Sequence, residues 1–355
     1  MDKFLYKIKK NVAKFISLFI KSSNARKEFR HKFMLPISMS DYYGKIYMPY
    51  YPNEKFSCEL PQIYNSEGRK MELFFLRDRI GSHCSYSDSS KYFLWDRFNI
   101  GLDVHFYTHG TILETMGKPK QKYGIFVESE SIIPNEYALF KTHKGIEKDF
   151  DAIFTYSEDL LSSLDNAVFF PACSSMWYGK EYYNGVKDST KLNSEVYKSK
   201  NKNISMVCSA KKMTEMHKIR HKIANEALKA GVDVFGGFNN GIMFDYKSRT
   251  LKDYRFQIVV ENDIKPYYFT EKIIDCFAAM TIPIYIGATK IDEFFNSDGI
   301  IKISKDENIE KIVQRCTEQE YNNRINAVID NYNRCLKYQN LDNLLYESYF
   351  LNKTS

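Results

Sequence analysis

The feature that most constrains the fold is a regular alternation in residues 204–304 between short apolar runs and amphipathic stretches. The apolar runs have the length of buried strands, and the amphipathic stretches have the period of a helix. The predicted strands are 204–208, 232–235, 256–260, 282–286 and 299–303, and the predicted helices are 214–230, 270–280 and 291–295. Strand–helix–strand units connect by right-handed crossovers, so this region predicts a parallel, doubly wound sheet.

A second α/β domain is predicted in residues 40–177, where apolar runs indicate strands at 45–48, 72–76, 104–107, 123–128 and 152–156. Residues 178–203 are polar, rich in Lys and Asn and without periodicity, which is typical of a linker or long loop. Residues 305–355 are predicted to be helical, with an end that packs back onto the first domain. A chain of 355 residues suits two domains of this size.

The N-terminal segment, residues 1–33, carries ten Lys/Arg and two Asp/Glu, which leaves a net charge near −1 for the rest of the chain. Apolar residues recur at helical steps in residues 4–19, with lysines on the remaining faces, so we predict a basic amphipathic helix. The lysines interrupt any membrane-spanning run, and no signal-peptide pattern is present. Residues 1–22 fit either an in-plane anchor on an anionic inner leaflet or an ordinary surface helix.

The composition outside this segment excludes several classes of function. A nearly neutral body does not indicate a nucleic-acid-binding surface. The seven cysteines include no CxxC pair, so we expect a reducing compartment, the cytosol. Asp149-Phe150-Asp151 matches a DxD metal–diphosphate string, but three letters recur by chance. The pairs His105/His109 and His217/His221 have no evident third ligand, so no metal site is predicted.

The most informative stretch is 254–295, in which a buried strand ends at Glu261 and Asn262. Ligands in open α/β sheets bind at the carboxyl ends of strands, beside helix N-termini. Thr270 suits the N-cap of the next helix. Lys272 in the first turn opposes the helix dipole unless the site holds an anion such as a diphosphate, and Glu271 suits ribose hydroxyls. The alternative is that Glu271 and Lys272 are solvated first-turn residues.

This stretch resembles the donor-binding signature of family 10 glycosyltransferases, the α1,3/1,4-fucosyltransferases. The similar residues are Glu261-Asn262, the run Tyr268-Phe269-Thr270-Glu271-Lys272, and the Pro-centred strand followed by Gly287. The resemblance covers about 204–304. It implies an α/β fold of the GT-B type, in which two doubly wound domains face each other across a cleft, and a GDP-sugar donor that binds to the C-terminal domain.

The resemblance also implies roles for individual residues. Lys272 corresponds to the family's phosphate-contacting lysine and Glu271 to the residue that binds the ribose. Tyr268 is expected to lie against the donor, and Asn262 to shape the same pocket. Arg220, early in the first helix of this domain, is the best match to an arginine that clamps the diphosphate, although the preceding loop is longer here. The alternative is that it is one cation in a basic helix.

The resemblance places a general base in the N-terminal domain, after a strand. Residues 123–134 carry Glu128 at the end of an apolar run and Glu130 two residues later. Inverting transfer needs a carboxylate to take the proton of the acceptor hydroxyl. Glu128 is the preferred candidate and Glu130 the alternate, against the alternative of an ordinary acidic turn.

The expected function is therefore inverting transfer of fucose from GDP-fucose to a saccharide or glycolipid hydroxyl, of α1,3 type, in surface polysaccharide synthesis. No cofactor is expected, because the GDP-sugar is a substrate. Two alternatives stay open: the same fold with another nucleotide sugar, and a non-catalytic carbohydrate- or nucleotide-binding protein. The expected location is the cytoplasm, on the inner face of the plasma membrane.

Overall fold

The computed structural model describes residues 3–21, 91–96, 100–171, 175–179 and 189–351, together with short stretches at 25–26, 29–30, 33, 45–46, 56–57, 72–77, 182–183 and 186–187. Within these residues the chain forms two parallel sheets, each with helices, so the prediction of two doubly wound α/β domains is confirmed.

The N-terminal sheet has six strands, all parallel, in the order β4-β3-β5-β6-β7-β8. They are β3 (Glu72–Arg77), β4 (Phe93–Asp96), β5 (Val104–Thr108), β6 (Gln121–Phe126), β7 (Ala152–Thr155) and β8 (Ala167–Phe169). The short antiparallel pairs are β1 (Lys45–Ile46) with β2 (Phe56–Ser57) and β9 (Tyr182–Tyr183) with β10 (Val186–Lys187). The strand order reverses between β3 and β5, which is the mark of a doubly wound sheet.

The C-terminal sheet has five parallel strands in the order β12-β11-β13-β14-β15. They are β11 (Lys202–Val207), β12 (Asp233–Phe235), β13 (Tyr254–Val260), β14 (Ile282–Ile286) and β15 (Ile301–Lys302). The order reverses between β11 and β13. The carboxyl ends of these two strands therefore form the topological switch point, where ligands bind in such folds.

The helices lie on the faces of both sheets and in a C-terminal group. The α-helices of the two domains are α1 (Lys3–Ser17), α2 (Pro134–Tyr137), α3 (Leu139–Thr142), α4 (Glu158–Ser163), α5 (Glu215–Lys229) and α6 (Glu271–Ala278). The C-terminal group is α7 (Ile309–Arg315), α8 (Glu318–Asn323), α9 (Ile325–Cys335) and α10 (Leu341–Leu345), followed by a π-helical turn at Tyr346–Phe350. Single 3-10 turns lie at His109–Glu114, Ile146–Asp149, Val196–Ser199, Phe238–Asn240, Lys247–Thr250, Ile291–Glu293, Ser297–Gly299 and Leu336–Tyr338.

The prediction of a helix at 291–295 is wrong in kind, because only a 3-10 turn forms at Ile291–Glu293. Two strands of the N-terminal sheet, Phe93–Asp96 and Ala167–Phe169, were not predicted from the sequence. Both are short and lie at the sheet edges, so neither has the long apolar run that marks a central strand.

Two stretches of chain connect the domains. Residues after β8 run to the C-terminal domain, where Oδ1 of the buried Asp275 accepts hydrogen bonds from the backbone N–H groups of Trp177 and Tyr178, at 2.7 and 2.8 Å. The other oxygen of Asp275 pairs with Lys247 at 3.3 Å. Tyr178 is buried, so the first residue of the predicted linker is part of the packed structure.

The chain returns to the N-terminal domain at its end, as predicted. Tyr346 stacks on Tyr92 with ring centroids 4.5 Å apart, and Phe350 packs on Phe74 at 5.7 Å. The phenol of Tyr92 donates to Glu347 at 2.7 Å. One face of the N-terminal sheet therefore shares its core with α6 and the C-terminal helices. Burying such aromatic side chains is the main stabilising contribution of this seam.

The N-terminal helix, α1, has exposed apolar side chains at Val12, Phe15 and Ile16, whereas Ala13 and Ser17 are buried. Among the described residues, none of the helices combines the length and apolar character needed to cross a bilayer. Cys208, Cys276, Cys316 and Cys335 are buried free thiols.

Candidate active site

The switch point of the C-terminal sheet is organised by Glu261, the residue that follows β13. Its side chain is fully buried, and its carboxylate accepts two hydrogen bonds from Thr270, at 3.0 Å from the backbone N–H and 2.7 Å from the hydroxyl. Thr270 is the N-cap of α6, as predicted, because its hydroxyl accepts from the backbone N–H of Lys272. Glu261 therefore ties the end of the strand to the start of the helix.

Gly287 makes this arrangement possible. A Cβ at this position would lie 2.6 Å from Cγ of Glu261 and 2.3 Å from the hydroxyl of Tyr285. Only glycine lets the end of β14 pass so close to the buried carboxylate.

Lys272 extends from the first turn of α6 into a group of oxygen atoms. Its ammonium lies 2.8 Å from the hydroxyl of Thr270 and 3.3 Å from the carboxylates of both Glu261 and Glu271. The side chains of Lys272 and Glu271 are 24% and 22% exposed, so both remain accessible at the surface of the site. The unusual first-turn lysine is thus held by the buried carboxylate of Glu261, a partner that the sequence does not reveal.

Arg220 reaches the same switch point from α5. Its Nη2 donates to the backbone carbonyl of Val260 at 2.6 Å and to Oδ1 of Asn262 at 2.7 Å, and Nε donates to the same carbonyl at 3.0 Å. Burial lowers the pKa of Arg220, while the charge of Glu261 raises it. Among the described residues, Nη1 has no hydrogen-bond partner. Arg220 and Asn262, two of the candidate donor-binding residues, are therefore in direct contact.

His217 lies one turn before Arg220 on α5 and is nearly fully buried. Its Nδ1 is 2.7 Å from the hydroxyl of Thr214 and accepts from the Thr214 backbone N–H at 3.2 Å, completing a capping box. Burial, together with the charges of Arg220, Lys211 and Lys272, lowers the pKa of His217 to about 4. The imidazole is therefore neutral at physiological pH, with its proton on Nε2. In the sequence, His217 stands out only as half of a possible metal-ligand pair with His221.

Glu128 follows β6 in the N-terminal domain, and both its backbone N–H and its backbone carbonyl form hydrogen bonds. The backbone carbonyl accepts hydrogen bonds from the phenols of Tyr137, at 2.8 Å, and Tyr156, at 3.1 Å. The backbone N–H donates to Nε2 of His109 at 3.2 Å. In the side chain, Oε1 accepts from the backbone N–H of Ser129 at 2.9 Å, and Oε2 has no partner among the described residues. One oxygen of this partly exposed carboxylate is thus available for a ligand.

Glu130, the alternate base, is already engaged. Its carboxylate forms an ion pair with Lys265 of the C-terminal domain at 2.8 Å. Next to it, Oδ2 of Asp263 accepts from the hydroxyl of Ser129, at 3.3 Å, and from the backbone N–H of Ser131, at 3.1 Å. These contacts place the loop that carries Glu128 directly against the loop that carries Asn262.

Tyr268 is 1% exposed, and its ring packs against Tyr156 of the N-terminal domain with centroids 5.2 Å apart. In this conformation its surroundings are protein, and the ring supports the tyrosine that holds Glu128. The expected contact with a donor stays a prediction.

The Asp149-Phe150-Asp151 string, which resembles a metal–diphosphate motif, lies away from the Glu128 loop. Asp149 and Asp151 precede β7, at the edge of the sheet opposite to Glu128, and Oδ2 of Asp151 accepts from the backbone N–H of Lys122 at 2.7 Å. Within the described part of the chain, no group of three His, Cys, Asp or Glu side chains is placed to hold a metal ion.

Two doubly wound α/β domains whose strand-end loops meet, with paired cations on one side and a carboxylate on the other, define a protein of the GT-B glycosyltransferase type. Residues 197–349, which hold the C-terminal domain, match the family described as glycosyltransferase family 10 (fucosyltransferase) C-term.

Among curated proteins, the chain is similar to the alpha-(1,3)-fucosyltransferase FucT of Helicobacter pylori, with 30% identity over 80 residues. The matched part is 22% of this chain and 17% of that protein, less than a fifth of its length. Among solved structures, one alpha1,3-fucosyltransferase aligns with 17% identity and a TM-score of 0.46, covering 81% of this chain and 91% of the other. Another, with GDP-fucose, aligns with 18% identity and a TM-score of 0.44, covering 72% and 81%.

Proposed function

We propose that this protein is an inverting fucosyltransferase that moves L-fucose from GDP-fucose to a saccharide hydroxyl, of α1,3 type, in surface-glycan synthesis. The observation that supports the proposal is that the loop of the partly exposed Glu128 packs, through Ser129 and Asp263, against the strand end that Arg220 contacts in the C-terminal domain. Contacts of Ser129 with Asp263 join the two halves of this site.

The donor side of the site suits a nucleoside diphosphate. Arg220 and Lys272 supply positive charge beside the N-terminus of α6, whose helix dipole favours anions. Glu261 and Thr270 hold the ammonium of Lys272 in place before any ligand arrives. Glu271, at the rim, is placed to accept hydrogen bonds from the ribose. Fixed positive groups of this kind stabilise the charge that develops on the departing diphosphate.

The acceptor side supplies the base. Glu128 takes the proton of the acceptor hydroxyl as that oxygen attacks C1 of the fucose. The bond between C1 and the phosphate oxygen breaks at the same time, and GDP leaves with the electron pair on the opposite face of the sugar. The proton ends on Glu128, and the configuration at C1 is inverted. Glu130 is less suited to this role, because its carboxylate pairs with Lys265.

The test is GDP release and glycoside formation by the purified protein, with GDP-fucose compared against GDP-mannose, UDP-glucose and UDP-N-acetylglucosamine, and with GlcNAc- and Glc-terminated acceptors. We expect turnover with GDP-fucose and a β-to-α change of configuration in the product. Turnover with a different sugar nucleotide assigns another donor. Calorimetry that shows no affinity for GDP overturns the proposal.

We also propose that residues 1–22 dock the protein on an anionic membrane surface, on the cytoplasmic face. The exposed apolar side chains of Val12, Phe15 and Ile16, among many lysines, support in-plane binding rather than packing of this face on the body. Flotation with vesicles of phosphatidylglycerol and phosphatidylethanolamine tests this. The full chain should float and a chain without residues 1–22 should not, whereas equal flotation of both overturns the assignment.

A further inference from the structure

His109 stands out because it adopts a left-handed backbone conformation, with φ of +49°, although it is not glycine. It follows β5 and is nearly fully buried. Such a conformation costs roughly 1–3 kcal/mol and persists only where the surroundings enforce it. We therefore expect the contacts of the His109 side chain to hold the residue in this conformation.

The reason is visible in its contacts. Nε2 of His109 accepts hydrogen bonds from two consecutive backbone N–H groups, those of Val127 at 3.3 Å and Glu128 at 3.2 Å. These are the groups at which β6 ends and the Glu128 loop begins. An imidazole that accepts at Nε2 is neutral and carries its proton on Nδ1. Next to it, the backbone N–H of Gly110 donates to Glu136 at 2.6 Å, which secures the turn from the other side.

The contacts of His109 complete a clamp on Glu128. The backbone N–H of Glu128 is held by His109, whereas the backbone carbonyl is held by Tyr137 and Tyr156. With both ends of the residue fixed, the direction in which its side chain leaves the backbone is also fixed. A base must be within hydrogen-bond reach of the proton it removes, so this direction decides whether transfer occurs.

We propose that His109 is a positioning residue that sets the orientation of Glu128 through these two hydrogen bonds. The proposal rests on the assignment of Glu128 as the general base. Because His109 acts through the backbone of Glu128, its loss should change the turnover number and leave the affinity for the donor as it is.

Three variants separate the acceptor atom from the backbone conformation. His109→Gly removes the acceptor but suits a φ of +49°, so the turn itself is relieved of strain. His109→Gln places a side-chain oxygen near the position of Nε2 and restores an acceptor. Met280→Gly is the matched control, since Met280 has a φ of +53° and lies in the other domain.

We expect His109→Gly to lower kcat for fucose transfer by about 10²-fold, the cost of misplacing a reacting group by about an ångström. The KM for GDP-fucose and the Kd for GDP should stay within twofold of wild type. His109→Gln should recover at least a tenth of wild-type kcat, and Met280→Gly should leave kcat unchanged. Wild-type kcat in His109→Gly, or equal losses in the Gly and Gln variants, overturns the proposal.

Hydrogen exchange gives a readout that does not depend on activity. The amides of Val127 and Glu128 should exchange at least tenfold faster in His109→Gly than in wild type, and His109→Gln should restore their protection. Unchanged exchange rates overturn the proposal. If the wild-type protein transfers no sugar but the exchange results hold, the proposed function has failed while the clamp stands.

Discussion

The two halves of the candidate site occupy equivalent places in their domains but are built in different ways. Both lie where parallel strands end. In the C-terminal half, Glu261, Thr270 and Lys272 come from one short stretch of chain and bind one another. In the N-terminal half, Glu128 is held by His109, Tyr137 and Tyr156, which come from three separate segments.

The difference teaches that the network of Glu261, Thr270 and Lys272 in the donor half is a local structure, whereas the base half depends on tertiary packing. A local structure needs contiguous residue types, so it leaves a motif in the sequence. The base half further depends on the opposite domain, because Asp263 and Lys265 bind Ser129 and Glu130. We expect substitutions in the donor half to change nucleotide affinity or local stability, and those in the base half to change turnover.

The largest effect is expected at the base. Glu128→Gln keeps the hydrogen bond from Ser129 but cannot take a proton, so kcat for transfer should fall about 10³-fold. The Kd for GDP should not change, because Glu128 belongs to the other half. Glu130→Gln is the control and should retain most of the activity. Loss of GDP binding in Glu128→Gln would erase the distinction between the halves.

The next effect concerns stability in the donor half. Glu261→Ala leaves Lys272 without its buried partner and Thr270 without its acceptor, so the free energy of unfolding should fall by about 3 kcal/mol. Urea unfolding at neutral pH measures this. Glu271→Ala removes the partly exposed partner of the same lysine and should cost less than about 1 kcal/mol. Equal losses of unfolding free energy in Glu261→Ala and Glu271→Ala would mean that the burial of Glu261 does not strengthen its contacts with Thr270 and Lys272.

Arg220→Lys tests the link between the donor half and its nucleotide. A lysine lacks the planar fork that serves Val260 and Asn262 together, so the Kd for GDP should rise about tenfold, or 1.4 kcal/mol. Lys222→Ala, an exposed position on the same helix, should bind GDP as wild type does. A wild-type Kd in Arg220→Lys would remove Arg220 from the donor site.

The pH dependence of stability distinguishes the neutral His217 from an ordinary histidine. In the unfolded chain this imidazole takes a proton near pH 6.5, whereas in the folded protein its pKa is about 4. The unfolded state therefore binds more protons between these values, and stability is lost as the pH falls from 6.5 towards 4. His217→Gln should show a shallower loss of urea midpoint over this window. Identical slopes would contradict the assignment.

The smallest effect is expected where the halves touch. Lys265→Met breaks a partly exposed ion pair with Glu130 and should cost about 0.5 kcal/mol in the free energy of unfolding. Lys290→Met, which breaks the more exposed pair with Glu158 at 3.1 Å, should cost no more. A loss of several kcal/mol for Lys265→Met would show that the base half is held mainly by the opposite domain.

The same contrast explains what the sequence could and could not predict. The strands of the C-terminal sheet were predicted to within about two residues at each end, because central strands are continuously apolar. Thr270 as the N-cap of α6 was also correct. The role of Glu261 was missed, because a carboxylate after a strand does not reveal whether it is buried.

His109 and Tyr156 were missed for a different reason. Each is far in sequence from Glu128. Their hydrogen bonds to the Glu128 backbone form only once β5, β6 and β7 are in register. The one available signal was the position of His109 at the end of a predicted strand. A histidine there is common, and its positive φ cannot be read from residue types.

The seam at Tyr346–Phe350 has a mechanical consequence. The polypeptide crosses between the lobes on the way out, after Ala167–Phe169, and again on the way back, so two tethers join them instead of one. A body fastened at two points turns freely only about the line through both. The two connections, together with the core that the lobes share, therefore restrict how one lobe turns against the other. Cutting the chain before Tyr346 would leave a single covalent connection between the lobes and loosen this restriction.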